Sequence, residues 1–238
     1  MILGLIKYHI LTLAREPINM FFGLGLPFLY LFIMSNQLIG NPMMVDGALG
    51  VFITVTTMVL CLTDSANSHA YTRQIKFLRR LRMTSVKPWH YIITGILSRI
   101  SVLFLFIVAF IATLVFVFDM SLADRNWLLF SIVVALAFSM FYLIGMFIAN
   151  MLRNAKMSQS STLVVFFVLL LGGGFMFPLD NAPDIMQTIS NGLPPEFAIT
   201  TLRNVWMGMD IFYGHYFVAM IVATIAFGVL SVVFFKYE

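Results

Sequence analysis

The sequence predicts an all-α integral membrane protein with six transmembrane helices, an N-terminal interfacial helix, and short re-entrant external helices between spans five and six. Of its 238 residues, 61% are hydrophobic and 10% are charged, and the mean hydropathy is +0.98. Soluble domains contain about 25% charged residues, so this chain has too little polar surface to face water on all sides. Because one span takes roughly 20 residues, about six spans use the whole length and leave a single transmembrane domain, residues 1–238.

The first element is an amphipathic helix over residues 1–17. Apolar side chains recur at helical spacing from Ile2 onward, and Pro17 ends the helix. Lys7 and Arg15 supply polar contacts, so we expect the helix to lie flat in the cytoplasmic interface. Two roles stay open for it: a topological anchor, or a relay of movement to the spans.

Six runs poor in charge form the predicted spans. They cover residues 19–38, 45–62, 91–118, 127–150, 158–177 and 211–235. The runs are apolar on all faces rather than alternating, which excludes a β-barrel. Pro27 in span one and the glycines at 172–174 in span five predict kinks, which membrane helices tolerate when neighbouring groups satisfy the backbone.

Lysine and arginine are distributed unevenly between the two sides of the membrane. Of the fourteen, only Arg125 and Arg203 lie in connectors on one side, and the other twelve lie on the opposite side. The positive-inside rule therefore predicts a multi-pass protein of the cell membrane with both termini in the cytoplasm.

The connector at residues 70–88 is strongly basic and contains no acidic residue. Ile75, Leu78 and Leu81 recur at three-residue intervals, and together with Arg82 they predict a short helix with a narrow apolar stripe. Basic residues flank that stripe: Arg73, Lys76, Arg79 and Arg80. Two roles stay open for this segment. Its charges fix the topology and contact anionic lipid, at about 1 kcal/mol each. Alternatively, the helix docks a cytoplasmic partner. The segment lacks a recognisable nucleic-acid-binding module, so we expect no nucleic-acid partner.

The connector at residues 178–210 is too polar to span the membrane. Pro183 suits the start of a helix, Asn191 and Gly192 end it, and a second apolar face follows Pro194. We expect two short helices that cap the spans from outside or dip back into the bilayer.

The sequence holds no catalytic constellation. Its four histidines lack metal-ligand spacing, and it contains neither a G-x-S-x-G elbow nor a P-loop. Asp64 is interpreted as a helix-capping or snorkelling residue, paired with a nearby arginine. Arg99 is interpreted as a contact between helices or with the cytoplasmic surface. Any energy source must then be an ion gradient or another polypeptide.

This layout resembles the type-2 ABC exporter permease family over nearly the whole chain. Residues 78–86, followed by Trp89, are similar to the family's leucine, basic, leucine, Arg-Ala-Thr-Pro-Leu stretch. A second similar stretch runs from Phe177 and Pro178 through 193–194 to 202–203. The sequence departs from the family pattern at five positions: Thr72, Gln74, Lys76, Phe77 and Ser85. The contacts of the cytoplasmic helix are therefore expected to suit a dedicated ATPase with a matching acidic groove.

The resemblance implies a mechanism and assigns residues to it. It implies that two permeases, identical or paralogous, pair around a path while two ATPase subunits bind below and carry ATP and Mg²⁺. This chain itself would hold no cofactor. ATPase coupling falls to Arg73, Lys76, Leu78, Arg79, Arg80, Leu81, Arg82 and Met83. Translocation-path candidates are Phe21, Phe22, Met58, Phe166, Phe167, Phe175, Met176 and Phe177. The external gate comprises Pro178, Pro194 and Arg203.

The predicted function is export of an amphiphilic substrate, such as a drug, peptide, lipid or glycan, driven by a separate ATPase. The path candidates have an alternative role in packing against lipid or neighbouring helices. The alternative function is that of a secondary, ion-coupled transporter, which would use ionisable groups inside the spans. The sequence does not select the substrate.

Overall fold

The computed structural model describes residues 25, 28–29, 31–33, 42–83, 88–120, 122, 125–152, 154–173, 183–212 and 214–235. These residues are 86% helical and include no strand, which confirms the all-α prediction. A π-helix, Met58–Thr63, interrupts the first long helix. The α-helices are α1 (Pro42–Thr57), α2 (Asp64–Gln74), α3 (Phe77–Arg82), α4 (Pro88–Phe118), α5 (Trp127–Met151), α6 (Ala155–Gly172), α7 (Asp184–Asn191), α8 (Pro194–Trp206) and α9 (Tyr216–Val233).

Four stretches are long and apolar enough to cross a membrane. Val45–Gln74, Pro88–Phe118, Trp127–Met151 and Tyr216–Val233 correspond to predicted spans two, three, four and six. Lys156–Gly172, within α6, corresponds to span five but is shorter. The predicted helix at 1–17 and most of span one lie outside the described residues.

Helix starts follow the chemistry of their first residues. The Asn126 side chain accepts a hydrogen bond from the Leu129 amide at 3.0 Å and so caps α5. Pro88 begins α4 and Pro194 begins α8, where the missing N–H of proline costs no helical hydrogen bond. These caps set the lengths of the spans between the connectors.

The long helix of span two extends further than predicted. It was expected to end at residue 62 because the next twelve residues are largely polar, yet it continues through the π-helix and α2 to Gln74. The polar side chains are tolerated because other helices cover them, and most of α2 is buried. The predicted cytoplasmic connector therefore begins with a helix end, and its own helix, α3, is confined to Phe77–Arg82.

Helix α5 lies at the centre of the bundle and contacts α2, α8, α9 and the π-helix. Gly145 permits its closest approach to span two, because a Cβ at this position would overlap the Leu62 carbonyl oxygen and Ser65 Oγ. Phe138 and Phe141 on α5 are fully buried. The main core therefore forms between span two and α5.

The segment between spans five and six contains two helices with a break at 192–193, as the prolines and glycine predict. Helix α8 is packed against α1 and α9. Its Ala198, Leu202 and Trp206 side chains are buried, so α8 is an integral part of the bundle.

Candidate functional site

Polar side chains are concentrated at one end of the bundle, where residues 70–83 and 88–90 lie; we call this the basic end. Asp64 on α2 and Arg99 on α4 form a buried ion pair there, with the Arg99 Nε donating to Asp64 Oδ2. This contact confirms that Asp64 pairs with an arginine and that Arg99 joins two helices. A buried pair of this kind compensates charges that would be costly alone in the membrane.

Two side-chain contacts link helices α2 and α4. Asp64 and Thr72 lie eight residues apart on α2, and Arg99 and Tyr91 lie eight residues apart on α4 in the reverse order. Thr72 Oγ1 lies 3.3 Å from the Tyr91 hydroxyl. Two polar contacts two turns apart therefore connect these antiparallel helices.

Tyr142 of α5, a third helix, packs against the arginine of this ion pair. The Arg99 guanidinium lies 5.5 Å from the centre of the Tyr142 ring, within cation–π range. Gly95 makes room for it, since a Cβ at this position would overlap the Tyr142 hydroxyl. Three helices are thus joined around one buried charge pair.

Asn150, in the last turn of α5, links span two to α9. Its Nδ2 donates to the Ser231 carbonyl at 3.1 Å, and its Oδ1 lies 2.9 Å from His69 Nε2. Because the amide oxygen accepts, the histidine donates through Nε2. Ser231 Oγ donates in turn to the Leu143 carbonyl at 2.9 Å.

Arg73 caps the carboxyl end of α5. Its guanidinium donates to the Ala149 carbonyl at 3.3 Å and to the Leu152 carbonyl. Carbonyls at a helix C-terminus have no intrahelical partner and carry the negative end of the helix dipole. An arginine therefore stabilises them both by hydrogen bonding and by its positive charge. Arg73 is buried within the chain.

A second charged site lies at the opposite end, which we call the acidic end. Arg125 Nη2 lies 3.0 Å from both carboxylate oxygens of Asp46. The Trp206 indole donates to Asp46 Oδ1 at 2.9 Å, and Arg125 donates to the Trp206 carbonyl. The start of span two, the connector before α5 and the end of α8 meet at this site.

A family model for the ABC-2 type transporter matches residues 2–207. That match covers most of the chain and every described helix up to α8. The chain belongs to the ABC-2 type transporter family. No curated protein matches the sequence. As an ABC-2 permease it is a multi-pass transmembrane subunit that is not itself catalytic, and members of the family typically work with an ABC ATPase.

The permease's predicted coupling residues fall into three groups. Lys76, Arg80 and Met83 are exposed, whereas Leu78 is fully buried within the chain, as is Arg73 in the cap of α5. Arg79, Leu81 and Arg82 belong to the backbone of α3, and their side chains lie outside the description. Among the described coupling candidates, the exposed side chains are therefore two basic residues and a methionine, and Tyr71 and Ile75 are exposed beside them.

The path candidates are only partly described. Met58 and Phe166 are buried in the core, and Phe167 is about half exposed on α6. The remaining five candidates lie outside the described residues: Phe21, Phe22, Phe175, Met176 and Phe177. Pro178 of the predicted gate lies outside them too.

The two other gate candidates both lie on α8 of the permease. Pro194 begins the helix and Arg203 is exposed in its last turn. Glu196 in the first turn is hydrogen-bonded by Thr200 at 2.6 Å. Burial raises the pKa of the Glu196 carboxyl, opposed by the Thr200 hydrogen bond and the Arg203 charge.

The basic-end residues that sequence reasoning missed are His69, Tyr142 and Asn150. Asn150 ends the apolar run of span four, Tyr142 lies two turns inside that run, and His69 lies in the polar continuation of span two; each is buried. Polar residues at membrane depth must find partners, so they are a usable signal. The partner of each comes from a distant part of the sequence.

Proposed function

We propose that the chain is the permease subunit of an ATP-driven exporter in the cell membrane, with its basic end in the cytoplasm. A separate ATPase subunit, which holds ATP and Mg²⁺, binds at that end. The observation that carries the proposal is α3, with exposed Lys76, Arg80 and Met83 on or beside it, just beyond a helix long enough to cross the membrane. An apolar contact ringed by basic charges suits an acidic groove on a partner.

Charge asymmetry supports this orientation. Exposed Lys76, Arg80 and Lys156 lie at the basic end of the spans, while Asp184 and Asp210 are exposed in the connectors at the acidic end. Under the positive-inside rule the basic end faces the cytoplasm. With the six spans that the sequence predicts, both termini then lie in the cytoplasm.

Uncovered polar side chains support a path next to spans two and five. Thr63 and Asn67 of span two are half-buried. Gln159 and Ser160 are exposed near the start of α6, which packs against α2. Polar groups at membrane depth need protein or water beside them, and a path between two paired permeases, identical or paralogous, supplies both.

The same face supports an amphiphilic substrate. Polar Gln159 and Ser160 lie toward the basic end, and Phe167 follows two turns further along α6 with about half of its surface exposed. A molecule with a polar head and an apolar body would match this order. A drug, peptide, lipid or glycan conjugate belongs to that class.

The ion-coupled alternative loses its support. An ion-coupled transporter uses exposed or exchangeable acids inside its spans. The two acids in the described spans, Asp46 and Asp64, are both paired with arginine. Membership of the ABC-2 type transporter family favours ATP as the energy source.

Affinity purification of the chain from its native membrane tests the proposal. We expect a P-loop ATPase to co-purify, together with vanadate-sensitive ATP hydrolysis. Charge reversal at the exposed sites, Lys76→Glu with Arg80→Glu, should remove most of the bound ATPase without unfolding the chain, because both side chains are exposed.

Lys156→Glu is the matched control. It makes the same kind of charge reversal at an exposed site of the same end, on α6 instead of beside α3. We expect it to retain the ATPase. Recovery of the wild-type chain without an ATPase would overturn the proposed function, and full retention in the double variant would overturn the docking role of α3.

A further inference from the structure

The link between α3 and span two is short and hydrogen-bonded. The Ile75 amide donates to the Tyr71 carbonyl at 3.0 Å, and the Lys76 amide donates to the Arg73 carbonyl at 3.0 Å. The Arg80 amide then donates to the Lys76 carbonyl at 3.3 Å. Only Ile75 and Lys76 separate the two helices, and both are hydrogen-bonded to the last turn of α2. A displacement of α3 is therefore passed directly to that turn.

Lys76 adopts a backbone conformation that makes this turn specific. Its φ is +59°, in the left-handed region that non-glycine residues rarely occupy. Leu78, two residues later, is buried against the rest of the chain. The geometry of the turn is therefore fixed by its surroundings, and α3 is held as part of the bundle.

The last turn of α2 holds Arg73, whose side chain reaches a different span. The guanidinium bonds two carbonyls at the end of α5, Ala149 and Leu152, and is only 6% exposed. Thr72 in the same turn contacts Tyr91 of α4, and the other described polar links from α2 to α5, at His69 and Ser65, lie about one and two turns further from α3. Arg73 is thus the first point at which movement of α3 meets span four.

We infer that Arg73 is a positioning residue that passes displacement of α3 to α5, rather than a residue that binds the partner. This inference rests on the proposed function, because it needs an ATPase bound at α3. Two bonds from one rigid, planar guanidinium transmit a push without the rotation that a single bond would allow. Sequence alone placed Arg73 among the docking residues because it flanks the same basic helix.

Hydrogen–deuterium exchange of the chain in lipid nanodiscs, with and without its ATPase bound, tests the inference. In the wild type we expect ATPase binding to slow exchange in residues 77–83 and also in residues 146–152. In Arg73→Gln the ATPase should still bind and still protect 77–83. Its effect on 146–152 should disappear, and exchange there should rise by about tenfold, as expected for the loss of charge-assisted hydrogen bonds.

Two further variants complete the design. Arg80→Gln removes an exposed arginine of α3 and should leave the exchange of 146–152 in the free chain unchanged. Arg73→Lys keeps the charge but bonds fewer carbonyls, so it should give an intermediate response. If Arg73→Gln does not fold, Arg73→Lys provides the test. A wild-type effect of ATPase binding on residues 146–152 in Arg73→Lys would then overturn the inference.

The outcomes separate the two proposals. An unchanged ATPase effect on 146–152 in a folded Arg73→Gln complex would overturn this inference and leave the proposed function standing. Loss of ATPase binding in Arg73→Gln would also overturn it, since Arg73 would then act in docking. Absence of an ATPase on the wild-type chain would overturn the proposed function and, with it, the inference.

Discussion

Span two carries two acids, Asp46 at its start and Asp64 ten residues before its end, and the two are held differently. Asp46 at the acidic end pairs with Arg125, and these side chains are 18% and 14% exposed. Asp64 toward the basic end pairs with Arg99, and these side chains are 0% and 2% exposed. A pair at the edge of the bundle is separated at modest cost because water replaces the lost partner, whereas a buried pair has no such replacement.

The difference divides the permease into two working parts. At the basic end, Asp64, His69 and Arg73 tie span two to α4, α5 and, through Asn150, α9. At the acidic end, a partly exposed site links α8 to span two and to the connector before α5. We therefore expect the basic end to move as one unit and the acidic end to open.

Breaking the buried pair should have the largest effect. Asp64→Ala leaves the Arg99 charge uncompensated and should lower the free energy of unfolding by about 3–5 kcal/mol. Denaturation in detergent micelles, followed by far-UV circular dichroism, measures it. The double variant Asp64→Leu with Arg99→Met removes both charges and should recover most of the loss. Wild-type stability in Asp64→Ala alone would contradict the account.

Filling the contact between span two and α5 should come next. Gly145→Ala places a methyl group against the Leu62 carbonyl and Ser65 Oγ, so α5 must move away from the π-helix. We expect a loss of about 1–3 kcal/mol, the usual range for overpacking. Gly47→Ala is the matched control, because nothing lies within 4 Å of a Cβ there. Equal stability of the two variants would show that the helices are not closely packed at Gly145.

Breaking the acidic-end site should cost less. Asp46→Ala removes the partner of Arg125 and the acceptor of the Trp206 indole, and we expect a loss of about 1–2 kcal/mol. The loss should be local: amide exchange should become faster in α8 and should stay unchanged in α2. Asp184→Ala, at an exposed acid of the same end, should change neither. A loss as large as that of Asp64→Ala would remove the distinction between the two ends.

The smallest effect should come from Glu196 on α8. Burial raises its pKa, so the folded state binds more protons than the unfolded state at pH values between the ordinary glutamate pKa and the raised one. The carboxylate then costs stability as the pH rises, with Arg203 and the Thr200 hydrogen bond offsetting part of the cost. Glu196→Gln should raise the melting temperature slightly at pH 7 and leave it unchanged at pH 4. A lower melting temperature at pH 7 would contradict this assignment.

Hydropathy was sufficient to predict the helical membrane fold, and turn chemistry was sufficient to predict the helices α7 and α8. The predicted count of six spans, with span one mostly outside the described residues, stays a prediction. The end of span two was misplaced because residues 63–74 are polar, and their partners on α4, α5 and α6 cannot be read from local sequence. The spacing of Asp64 and Thr72 against Tyr91 and Arg99 contained that information, but only once the two helices are known to pair.

Arg73 shows most clearly what the sequence alone could not predict. By sequence it flanks a basic helix like Arg80, and the two arginines look equivalent. In the structure Arg80 is exposed while Arg73 caps a helix that begins more than fifty residues later. Which arginine is exposed and which contacts another helix depends on the position of α5, which no local pattern encodes.

Amide exchange of the ATPase-bound permease in nanodiscs, before and after addition of AMP-PNP with Mg²⁺, tests the division most directly. The account predicts faster exchange at the acidic end, in residues 45–50 and 200–206, with residues 64–73 unchanged. Loss of protection in 64–73 with no change in 200–206 would contradict it.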